Sequence, residues 1–445
     1  MNTKIFKAYD IRGIYPQEIN EEAAYKIGVA FATFTKNNSN KENPQIVVGR
    51  DNRLSSDSLF DSLSRGIIDQ GANVINIGLS ATPTFYFAVA NYKYDGGINI
   101  TASHNPKQYN GFKMVKAGAV PLSEISGIGE IKDLVMVDNF PIVPKKGEIV
   151  EKTVLIDYIL ANKEKEPFNI KMIVDTANSV SGVFVPKIFD QINFTHIFSD
   201  LNGDFPNHEP DPLKKENINK LQEKVIKDKA DLGIAFDGDG DRVFFIDEKG
   251  EVVSSDMILA LIASIIIKEK PGSKILYDLR CSNIVKEVIE GLKGEAIISR
   301  VGHSFIKALM REQDIIFGAE YSGHYYLKQG EDYYESPYFV IFTILKEMKR
   351  TGNKLSELIE PFRKYYHSGE INFKVENKEE IIERVKNKYI NGNLLIIDGV
   401  RIDFDDWWFS IRSSNTEPIL RLIVEGKTKE KMEEKLKEIE AIIQS

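Results

Sequence analysis

The chain has 445 residues, of which 42% are hydrophobic and 28% charged, a balance typical of a folded globular protein and not of a disordered one. It carries 58 Lys and Arg against 66 Asp and Glu, and the net charge of −8 argues against nonspecific nucleic-acid binding, which needs a dense positive surface. The single cysteine, Cys281, excludes an internal disulfide and a cysteine-rich zinc site.

The sequence gives no sign of a secreted or membrane protein. The N-terminal segment contains Lys4 and Lys7 and lacks the apolar core of a signal peptide. The longest apolar stretch, residues 257–267, is much shorter than the ~20 residues that a bilayer span needs. We therefore expect a cytoplasmic protein that binds neither membranes nor nucleic acid.

Short runs rich in Ile and Val recur along the chain, and each ends in a polar turn, as buried strands do. Three sets of three strands are predicted, at residues 46–48, 74–77 and 98–100, at 172–174, 196–198 and 232–236, and at 275–277, 297–298 and 315–317. Helical patterns lie between them, for example at residues 59–70, 218–229 and 284–292. This alternation predicts βαβ units with mostly parallel sheets, in which ligands bind at the carboxyl ends of the strands.

The C-terminal part of the chain has a different pattern. Strands are predicted at residues 394–400, 402–404, 408–411 and 419–424, followed by a charged helix at 429–443. The length suggests about three or four domains. We predict three successive α/β domains with mixed or parallel sheets, and a C-terminal α+β domain. The predicted domains comprise residues 1–145, 146–252, 253–365 and 366–445.

Residues 237–242, with the sequence Asp-Gly-Asp-Gly-Asp-Arg, give the strongest single signal. Alternation places the carboxylates of Asp237, Asp239 and Asp241 on one side of the backbone, and glycine lets that backbone curl. Three like charges this close are costly unless a cation neutralises them, and hard oxygen ligands suit Mg²⁺ or Ca²⁺. An acidic surface turn is the simpler alternative. An EF-hand is rejected because Arg242 stands at its obligatory glycine position.

The sequence Thr-Ala-Ser-His-Asn-Pro at residues 101–106 follows a predicted strand. A serine at a strand end, braced by an Asn-Pro turn, is a candidate nucleophile or phosphate carrier, which makes Ser103 the residue of interest. Lys113 supplies a cation ten residues further on, and His104 is a weak candidate base. A plain turn is the alternative. The chain contains no Gly-x-Ser-x-Gly motif, so a hydrolase triad is not supported.

Three further clusters combine charged and hydroxyl side chains. Residues 412–416, Arg-Ser-Ser-Asn-Thr, offer a guanidinium with hydroxyl and amide donors, which suits a phosphate, and Arg421 adds a second cation. A capped helix start explains that motif equally well. Residues 320–324, Glu-Tyr-Ser-Gly-His, place a carboxylate beside a hydroxyl, as sugar-binding sites do, and a buried, satisfied glutamate is the alternative. Residues 302–304, Gly-His-Ser, are a weaker indication of a binding site.

Taken together, these motifs resemble those of the α-D-phosphohexomutases of the phosphomannomutase/phosphoglucomutase type. The resemblance extends over nearly the whole chain, with the motifs in the family's order and spacing. It implies four domains around a central cleft and the interconversion of hexose 1-phosphates and 6-phosphates, with mannose and/or glucose as the sugar. It also implies a phosphoserine enzyme and a hexose 1,6-bisphosphate that serves as intermediate and activator. The Ala-Tyr-Asp-Ile-Arg-Gly start at residues 8–13 favours this type over phosphoglucosamine mutases, which remain an alternative.

The resemblance also implies a role for each matching residue. Ser103 would be the phosphoserine, and one Mg²⁺ would be held by Ser103, Asp237, Asp239 and Asp241. The residues implied in catalysis are Ser103, Lys113, His104, Arg242, Arg12 and His303. The residues implied in substrate binding are Tyr9, Arg280, Glu320, Ser322, His324, Arg412, Ser414, Asn415, Thr416 and Arg421. Arg280 stands where relatives often have lysine, and it keeps the charge with a different geometry.

In the implied reaction Lys113 takes or gives a proton at the sugar oxygen. Since a free lysine has a pKa of ~10.4, we expect burial or neighbouring cations to lower the pKa of Lys113. Two other classes of function stay open. A metal-dependent sugar phosphatase would need neither a sugar clamp nor a second phosphate site, and a non-catalytic sugar-phosphate-binding protein would need neither Ser103 nor Lys113. We expect a monomer or weak dimer whose partners are small hexose phosphates.

Overall fold

The structure is a computed structural model, and it describes residues 2–137, 140, 143–413 and 419–444. Two compact units make up the chain. The first comprises Met1–Val253 and Ser322–Ser356, and the second comprises Ser254–Tyr321 and Glu357–Ser445. No helix among the described residues combines the length and the apolarity that crossing a bilayer requires.

The N-terminal sheet of the first unit is mixed. Its strands are β1 (Ile11–Ile14), β2 (Gln45–Arg50), β3 (Asn73–Leu79), β4 (Gly96–Ile100), β5 (Tyr109–Lys116), β6 (Val120–Pro121) and β7 (Ile149–Glu151). The helices of this part are α1 (Glu21–Ser39), α2 (Ser56–Asp69), α3 (Thr82–Asn91) and α4 (Gly129–Val137). The strand order is β1-β5-β4-β2-β3-β7, with β6 beside β5. Strands β4, β2, β3 and β7 are parallel, whereas β5 is antiparallel to both β1 and β4.

The core of this sheet follows from the apolar pattern of the sequence. Helix α2 buries Leu59, Leu63 and Ile67, which are four residues apart and so share one helix face. They pack with strand residues such as Val48 and Ile98, and all five residues of β4 are buried. Burial on both faces explains why β4 reads as a continuous run instead of an alternating one.

The second sheet of the first unit is also mixed. Its strands are β8 (Phe168–Asp175), β9 (Ile192–Ile197), β10 (Leu232–Phe236), β11 (Val243–Ile246) and β12 (Val252–Val253). Its helices are α5 (Leu155–Asn162), α6 (Val185–Ile188) and α7 (Lys215–Asp228). The strand order is β12-β11-β10-β8-β9, in which β9, β8 and β10 are parallel and β11 is antiparallel to β10.

The central part of the chain contributes to both units. Its elements in the second unit are α8 (Ser255–Glu269), β13 (Lys274–Asp278), α9 (Asn283–Gly291), β14 (Glu295–Ser299), α10 (His303–Gln313) and β15 (Phe317–Ala319). Strands β14, β13 and β15 are parallel neighbours in that order. The hairpin of β16 (Tyr325–Gln329) and β17 (Asp332–Glu335) and helix α11 (Pro337–Thr351) belong to the first unit, and α12 (Leu355–Ile359) follows.

The C-terminal sheet of the second unit is antiparallel. Its elements are β18 (Tyr366–His367), β19 (Ile371–Lys374), α13 (Lys378–Lys388), β20 (Asn393–Ile396), β21 (Val400–Asp403), β22 (Trp407–Ser413), β23 (Ile419–Gly426) and α14 (Lys429–Gln444). The strand order is β18-β23-β22-β21-β20, with β19 beside β23. The strand orders of the four sheets confirm the predicted class of α/β domains followed by an α+β domain. The residue boundaries of the domains stay a prediction.

Most predicted strands differ from the observed ones by a few residues at their ends, and two of these differences have a local backbone cause. The strand predicted at residues 315–317 begins at Phe317, because Asp314 adopts a left-handed conformation with φ 55° and the Ile315 N–H donates to the Met310 carbonyl. These residues therefore complete the end of α10. The strand predicted at residues 394–400 is divided into β20 and β21, and Gly399, with φ 86°, lies in the turn between them.

Two loops join a parallel strand to an antiparallel neighbour where the sequence pattern suggests a βαβ crossover. The serine loop, residues 101–108, joins β4 to β5. The aspartate loop, residues 237–242, joins β10 to β11. The hairpin at the serine loop brings β5 back beside β4, so that Lys113 lies opposite Asn99 in the register. The ammonium group of Lys113, ten residues after Ser103 in the sequence, is thereby brought back toward the serine loop.

Candidate active site

The aspartate loop is a tight hairpin that begins at the end of the fully buried strand β10. It is closed by hydrogen bonds from the Gly240 N–H to the Asp237 carbonyl at 3.3 Å and from the Arg242 N–H to Asp237 Oδ1 at 3.2 Å. Gly238 is required by a close approach, since a Cβ there would lie 2.3 Å from the Ser103 carbonyl oxygen. The aspartate loop therefore packs directly on the serine loop.

The three aspartates of this loop form a buried carboxylate cluster. One ligand oxygen from each of Asp237, Asp239 and Asp241 lies within 4.8 Å of the other two, and no other such group occurs among the residues the structure describes. Oδ1 of Asp239 is buried without a hydrogen-bond partner in that part of the chain. Burial, together with the charges of Asp239 and Asp241, holds the pKa of Asp237 well above its usual range. A buried set of carboxylate oxygens with excess negative charge fits a hard divalent cation such as Mg²⁺.

Lys113 pairs with two of these carboxylates. Its Nζ lies 2.6 Å from Oδ2 of Asp239 and 2.5 Å from Oδ2 of Asp241, and Thr82 Oγ1 donates to the same oxygen of Asp239 at 2.6 Å. Burial by itself lowers the pKa of Lys113, but the charges of Asp239 and Asp241 outweigh it, so the pKa is raised. The expectation of a lowered pKa for Lys113 is therefore wrong for this arrangement, because anions and not cations surround the ammonium.

The other end of the aspartate loop contacts His324, next to strand β16. Nε2 of His324 lies 3.1 Å from Oδ1 of Asp241 and 3.3 Å from Nε of Arg242, and its Nδ1 lies 3.2 Å from Ser322 Oγ. Burial alone raises the pKa of Asp241, but Lys113 and His324 outweigh it and hold this pKa well below its usual range. The structure thus joins Ser322 and His324, both predicted substrate ligands, to the carboxylate cluster.

Ser103 lies at the point where the two loops meet. Its Oγ donates to Oδ2 of Asp237 at 3.0 Å and lies 3.3 Å from Nδ1 of His104. Its backbone has a φ of 51°, in the left-handed region, and its N–H donates to Thr101 Oγ1 at 2.9 Å. Burial, followed by the charges of Arg242 and Arg12, holds the pKa of His104 well below its usual range. The serine hydroxyl is therefore fixed on the carboxylate cluster, beside a neutral imidazole.

Strand β1 brings Arg12 to the serine loop. Nη1 of Arg12 donates to Oδ1 of Asn105 at 2.8 Å, and Nη2 pairs with Asp10 at 2.6 Å. Tyr9 is half-buried in the bend before this strand. Of the predicted site residues in the first unit, all but Tyr9 are therefore tied to the serine loop or the aspartate loop by the contacts described.

In the second unit, the predicted sugar-binding residues form a separate polar group at the ends of parallel strands. Arg280 pairs with Asp278 at 2.6 Å and lies 3.6 Å from Glu320 Oε1. The same Glu320 oxygen accepts from the Gly302 N–H at 2.9 Å, which places it beside His303, the buried first residue of α10. The structure therefore brings Arg280 and Glu320 together at one edge of this sheet, with His303 next to the Gly302 N–H that bonds Glu320.

Arg412 and Arg421 form an arginine cluster with Glu370 in the C-terminal sheet. The two arginines lie opposite each other on β22 and β23. Nη2 of Arg412 donates to Oε2 of Glu370 at 2.8 Å, and Nη1 of Arg421 lies 3.5 Å from its Oε1. Burial alone raises the pKa of Glu370, but Arg280, Arg412 and Arg421 outweigh it and lower this pKa. The remaining predicted phosphate ligands, Ser414, Asn415 and Thr416, lie outside the described residues.

Sequence reasoning missed two charged residues that organise these groups. Arg53 lies just after β2 and donates to the serine loop. A signal was available for it, because β2 and β4 are both predicted strands and the polar residues after parallel neighbours meet at one sheet edge. Glu370 carries no local motif, and only the pairing of β19 with β23 brings it to the arginines.

Comparison with known proteins agrees with this arrangement. Models of the phosphoglucomutase/phosphomannomutase family match the chain in four successive parts, with α/β/α domain I over residues 3–135, domain II over 152–250, domain III over 254–365 and the C-terminal domain over 370–442. A phosphomannomutase from Methanocaldococcus jannaschii is 41% identical, with 99% of this chain and 97% of that protein covered. A phosphoglucomutase from Neisseria gonorrhoeae is 34% identical, with 99% and 97% covered.

A solved structure supports the same assignment. The crystal structure of a phosphoglucomutase/phosphomannomutase family protein from Burkholderia thailandensis has a TM-score of 0.91 and 28% identity, and the match covers 100% of this chain and 98% of that one. Full-length identity to proteins named as mutases, and all four domain matches in order, lead to one conclusion. This chain belongs to the phosphoglucomutase/phosphomannomutase family and is a phosphohexomutase.

Proposed function

We propose that this enzyme interconverts hexose 1-phosphates and hexose 6-phosphates, with mannose and/or glucose as the sugar, through a phosphoserine at Ser103 and a 1,6-bisphosphate intermediate. The observation that carries the proposal is the 3.0 Å contact between Ser103 Oγ and Asp237 Oδ2 inside the buried carboxylate cluster. The names of the Methanocaldococcus and Neisseria relatives, a phosphomannomutase and a phosphoglucomutase, support both sugars.

Ser103 is suited to carry a phosphoryl group because its hydroxyl is held in one place. Phosphoryl transfer has a loose transition state, so catalysis depends on positioning and on neutralising charge. Asp237, Asp239 and Asp241, with an oxygen on Ser103, would hold Mg²⁺, which supplies positive charge beside the transferred phosphoryl group. Arg242, adjacent in the chain, would add a fixed cation.

The proton that leaves or joins the sugar hydroxyl needs a carrier near Ser103. We assign this role to Lys113, whose buried Nζ lies in the same carboxylate cluster as the serine. Since the charges of Asp239 and Asp241 raise the pKa of Lys113, proton transfer would require that a bound cation neutralise these carboxylates. His104 and Arg12 would hold the serine loop and its phosphoryl group, since both lie on or against that loop. Tyr9 is assigned to substrate contact by the family motif alone.

The second unit would bind the substrate. Glu320 would accept hydrogen bonds from sugar hydroxyls, with Arg280 and His303 beside it. Ser322 and His324 of the first unit are proposed as further contacts to substrate. The non-reacting phosphate would be held by Arg412 and Arg421, with Ser414, Asn415 and Thr416 as further donors by the family motif.

The sequence-based predictions that remain untested are part of this proposal. These are the domain boundaries at residues 145, 252 and 365, a cytoplasmic location, and a monomer or weak dimer. Their support is the sequence pattern, the single cysteine and the charge balance described above.

The test is phosphorus NMR of the purified protein with Mg²⁺ and a trace of glucose 1,6-bisphosphate. Mannose 1-phosphate, glucose 1-phosphate and glucosamine 1-phosphate are supplied separately, and we expect the 6-phosphate of mannose, glucose or both. Faster conversion of the glucosamine compound would reassign the enzyme as a phosphoglucosamine mutase. Release of inorganic phosphate alone would indicate a phosphatase. No turnover, with Ser103 unmodified, would indicate a sugar-phosphate-binding protein.

A further inference from the structure

Arg53 is a buried cation beside the serine loop, and all its side-chain donors are bonded. Its side chain is fully buried, and its Nε donates to Oδ2 of Asp51 at 3.1 Å. Its two terminal nitrogens donate at 2.7 to 3.1 Å to four backbone carbonyl oxygens, those of Ser103, Asn105, Pro106 and Tyr109. Because a guanidinium has five N–H donors, every donor of Arg53 is used, and four of them bind the serine loop or Tyr109, the residue that follows it.

One of these carbonyl groups belongs to Ser103 itself. Nη2 of Arg53 lies 2.7 Å from this oxygen, and Gly238 of the aspartate loop packs against the same oxygen. Ser103 is held with a φ of 51°, a conformation that a residue with a Cβ adopts at a cost and keeps only where its surroundings fix it. Arg53 supplies a rigid, planar part of those surroundings.

The guanidinium is fixed on its remaining sides as well. Asp51 accepts from both the backbone N–H and Nε of Arg53, and it also accepts from Ser56 Oγ at 2.7 Å. The ring of Phe205 lies 5.1 Å from the guanidinium carbon, within the range of a cation–π contact. Arg53 therefore has little freedom to move, and it transfers this rigidity to the backbone of the serine loop.

We infer that Arg53 is a positioning residue for phosphoryl transfer, setting the place of the Ser103 hydroxyl through the backbone of the serine loop. The inference rests on the proposed role of Ser103. It implies that lysine cannot replace Arg53, because a lysine ammonium keeps the charge but cannot donate to four carbonyl groups from one plane. Displacement of a reacting group by about 1 Å costs on the order of 100-fold in rate.

The test compares Arg53→Lys with Arg50→Lys in the full-length enzyme. Arg50 is three residues earlier, and it pairs with exposed Asp57 and covers the ring of Phe60, so it is a matched control without a contact to the serine loop in these interactions. For Arg53→Lys we expect kcat to fall on the order of 100-fold with KM within about threefold, whereas Arg50→Lys keeps both near the wild-type values.

Two further readouts separate positioning from loss of folded protein. The fraction of enzyme that accepts a phosphoryl group from glucose 1,6-bisphosphate, measured by intact mass, normalises kcat to competent sites. Amide hydrogen exchange of the serine loop is expected to rise in Arg53→Lys while exchange elsewhere is unchanged. If the fall in kcat disappears after this normalisation, or if kcat and exchange both stay at wild-type values, the inference is overturned.

A second variant covers the case in which Arg53→Lys does not fold. Asp51→Asn keeps the shape of the residue that fixes Nε of Arg53 and removes its charge. We expect a smaller fall in kcat and a smaller rise in hydrogen exchange of the serine loop than in Arg53→Lys. Wild-type kcat and exchange in Asp51→Asn would then contradict the inference. A wild-type enzyme that never phosphorylates Ser103 would instead refute the proposed function, and hydrogen exchange would still report whether Arg53 orders the loop.

Discussion

The aspartate loop takes its three carboxylates from five consecutive residues, whereas the arginine cluster is assembled from β22, β23 and the residue before β19. Each group balances part of its charge internally. Lys113 bridges Asp239 and Asp241, and Glu370 bridges Arg412 and Arg421. The aspartate group keeps an excess of negative charge, which suits a cation, and the guanidinium groups of Arg412 and Arg421 are donors of the kind that suit a phosphate.

The comparison teaches that the two sites depend on different levels of structure. Turn geometry is sufficient to converge the aspartates, because glycine separates them within one hairpin. Sheet register is needed to converge the arginines, and like charges directly opposite on neighbouring strands are unfavourable without a counter-charge. Glu370 supplies that counter-charge together with Asp398, whose Oδ2 lies 3.7 Å from Nη1 of Arg412. A mutation in the aspartate loop should therefore change the binding of a cation at that loop. A mutation in the arginine cluster should change how much of the arginines' positive charge is neutralised.

The largest effect is expected from Ser103→Ala. The variant removes the proposed phosphoryl carrier, and kcat should fall by on the order of 10⁴-fold or more in a coupled mutase assay. Ser58→Ala, which removes a half-buried hydroxyl on helix α2 that bonds the Ser55 carbonyl and Glu21 and contacts neither loop in these bonds, should keep full activity. Full activity in Ser103→Ala would refute the assignment of the carrier.

Asp239→Asn tests the carboxylate cluster with the next largest effect. The variant removes one of three charges and leaves Lys113 paired with Asp241, so we expect the apparent affinity for Mg²⁺ to fall about 100-fold. Chelation with EDTA should abolish wild-type activity, and added Mg²⁺ should restore it. Asp247→Asn changes a buried aspartate that caps the next turn, and it should alter stability but not the Mg²⁺ requirement. Equal Mg²⁺ affinity in Asp239→Asn and the wild type would contradict the metal assignment.

Glu370→Gln tests the arginine cluster. It should strengthen ligand binding, whereas Asp239→Asn should weaken it. If Arg412 binds the substrate phosphate as proposed, the Glu370 carboxylate competes with that phosphate, and its neutralisation should lower the KM for the sugar phosphate by about tenfold. The inhibition constant of inorganic phosphate should fall in parallel. Glu376→Gln, in the same domain but exposed, is the control and should leave both constants unchanged. A raised KM in Glu370→Gln would mean that Glu370 acts mainly by orienting the two arginines, and not by competing with the phosphate for them.

The smallest effect concerns stability and involves neither site. His208 pairs with Asp175 at 3.1 Å, and although burial lowers the pKa of His208, the hydrogen bond and charge of Asp175 raise it overall. A histidine with a raised folded-state pKa stabilises the fold below its unfolded pKa, and this contribution is lost as pH rises through the folded pKa. His208→Gln should therefore lower the melting temperature more at pH 6 than at pH 8.5.

His196 provides a control of opposite sign for that experiment. Burial lowers the pKa of His196, so the folded state favours its neutral form and loses stability as pH falls. His196→Gln should lower the melting temperature less at pH 6 than at pH 8.5. The same pH trend in both variants would show that the Asp175 pair is not the cause.

Sequence patterns predicted most of the fold because buried strands and amphipathic helices have strong periodic signals. The strand at residues 232–236 is observed with the predicted bounds, and the helices predicted at residues 59–70 and 218–229 are each shifted by a few residues. The errors are at the ends of elements and in whole strands that the apolar runs do not mark, such as β5 and β11. The αL turn at Asp314 and the turn at Gly399 are local backbone conformations that an apolar run does not report.

The candidate site also has one part that the sequence predicts and another part that only the fold brings together. The sequence by itself determined the aspartate loop and the serine loop, because in each of them a short motif encodes both the side chains and the turn that gathers them. Only the tertiary structure decided which charges neutralise them. Lys113 reaches Asp239 because β5 turns back beside β4, Arg53 reaches Ser103 because β2 and β4 are neighbours, and Glu370 reaches Arg412 through the register of the C-terminal sheet. Pairing between distant strands depends on packing of the whole sheet, and local sequence carries no record of it.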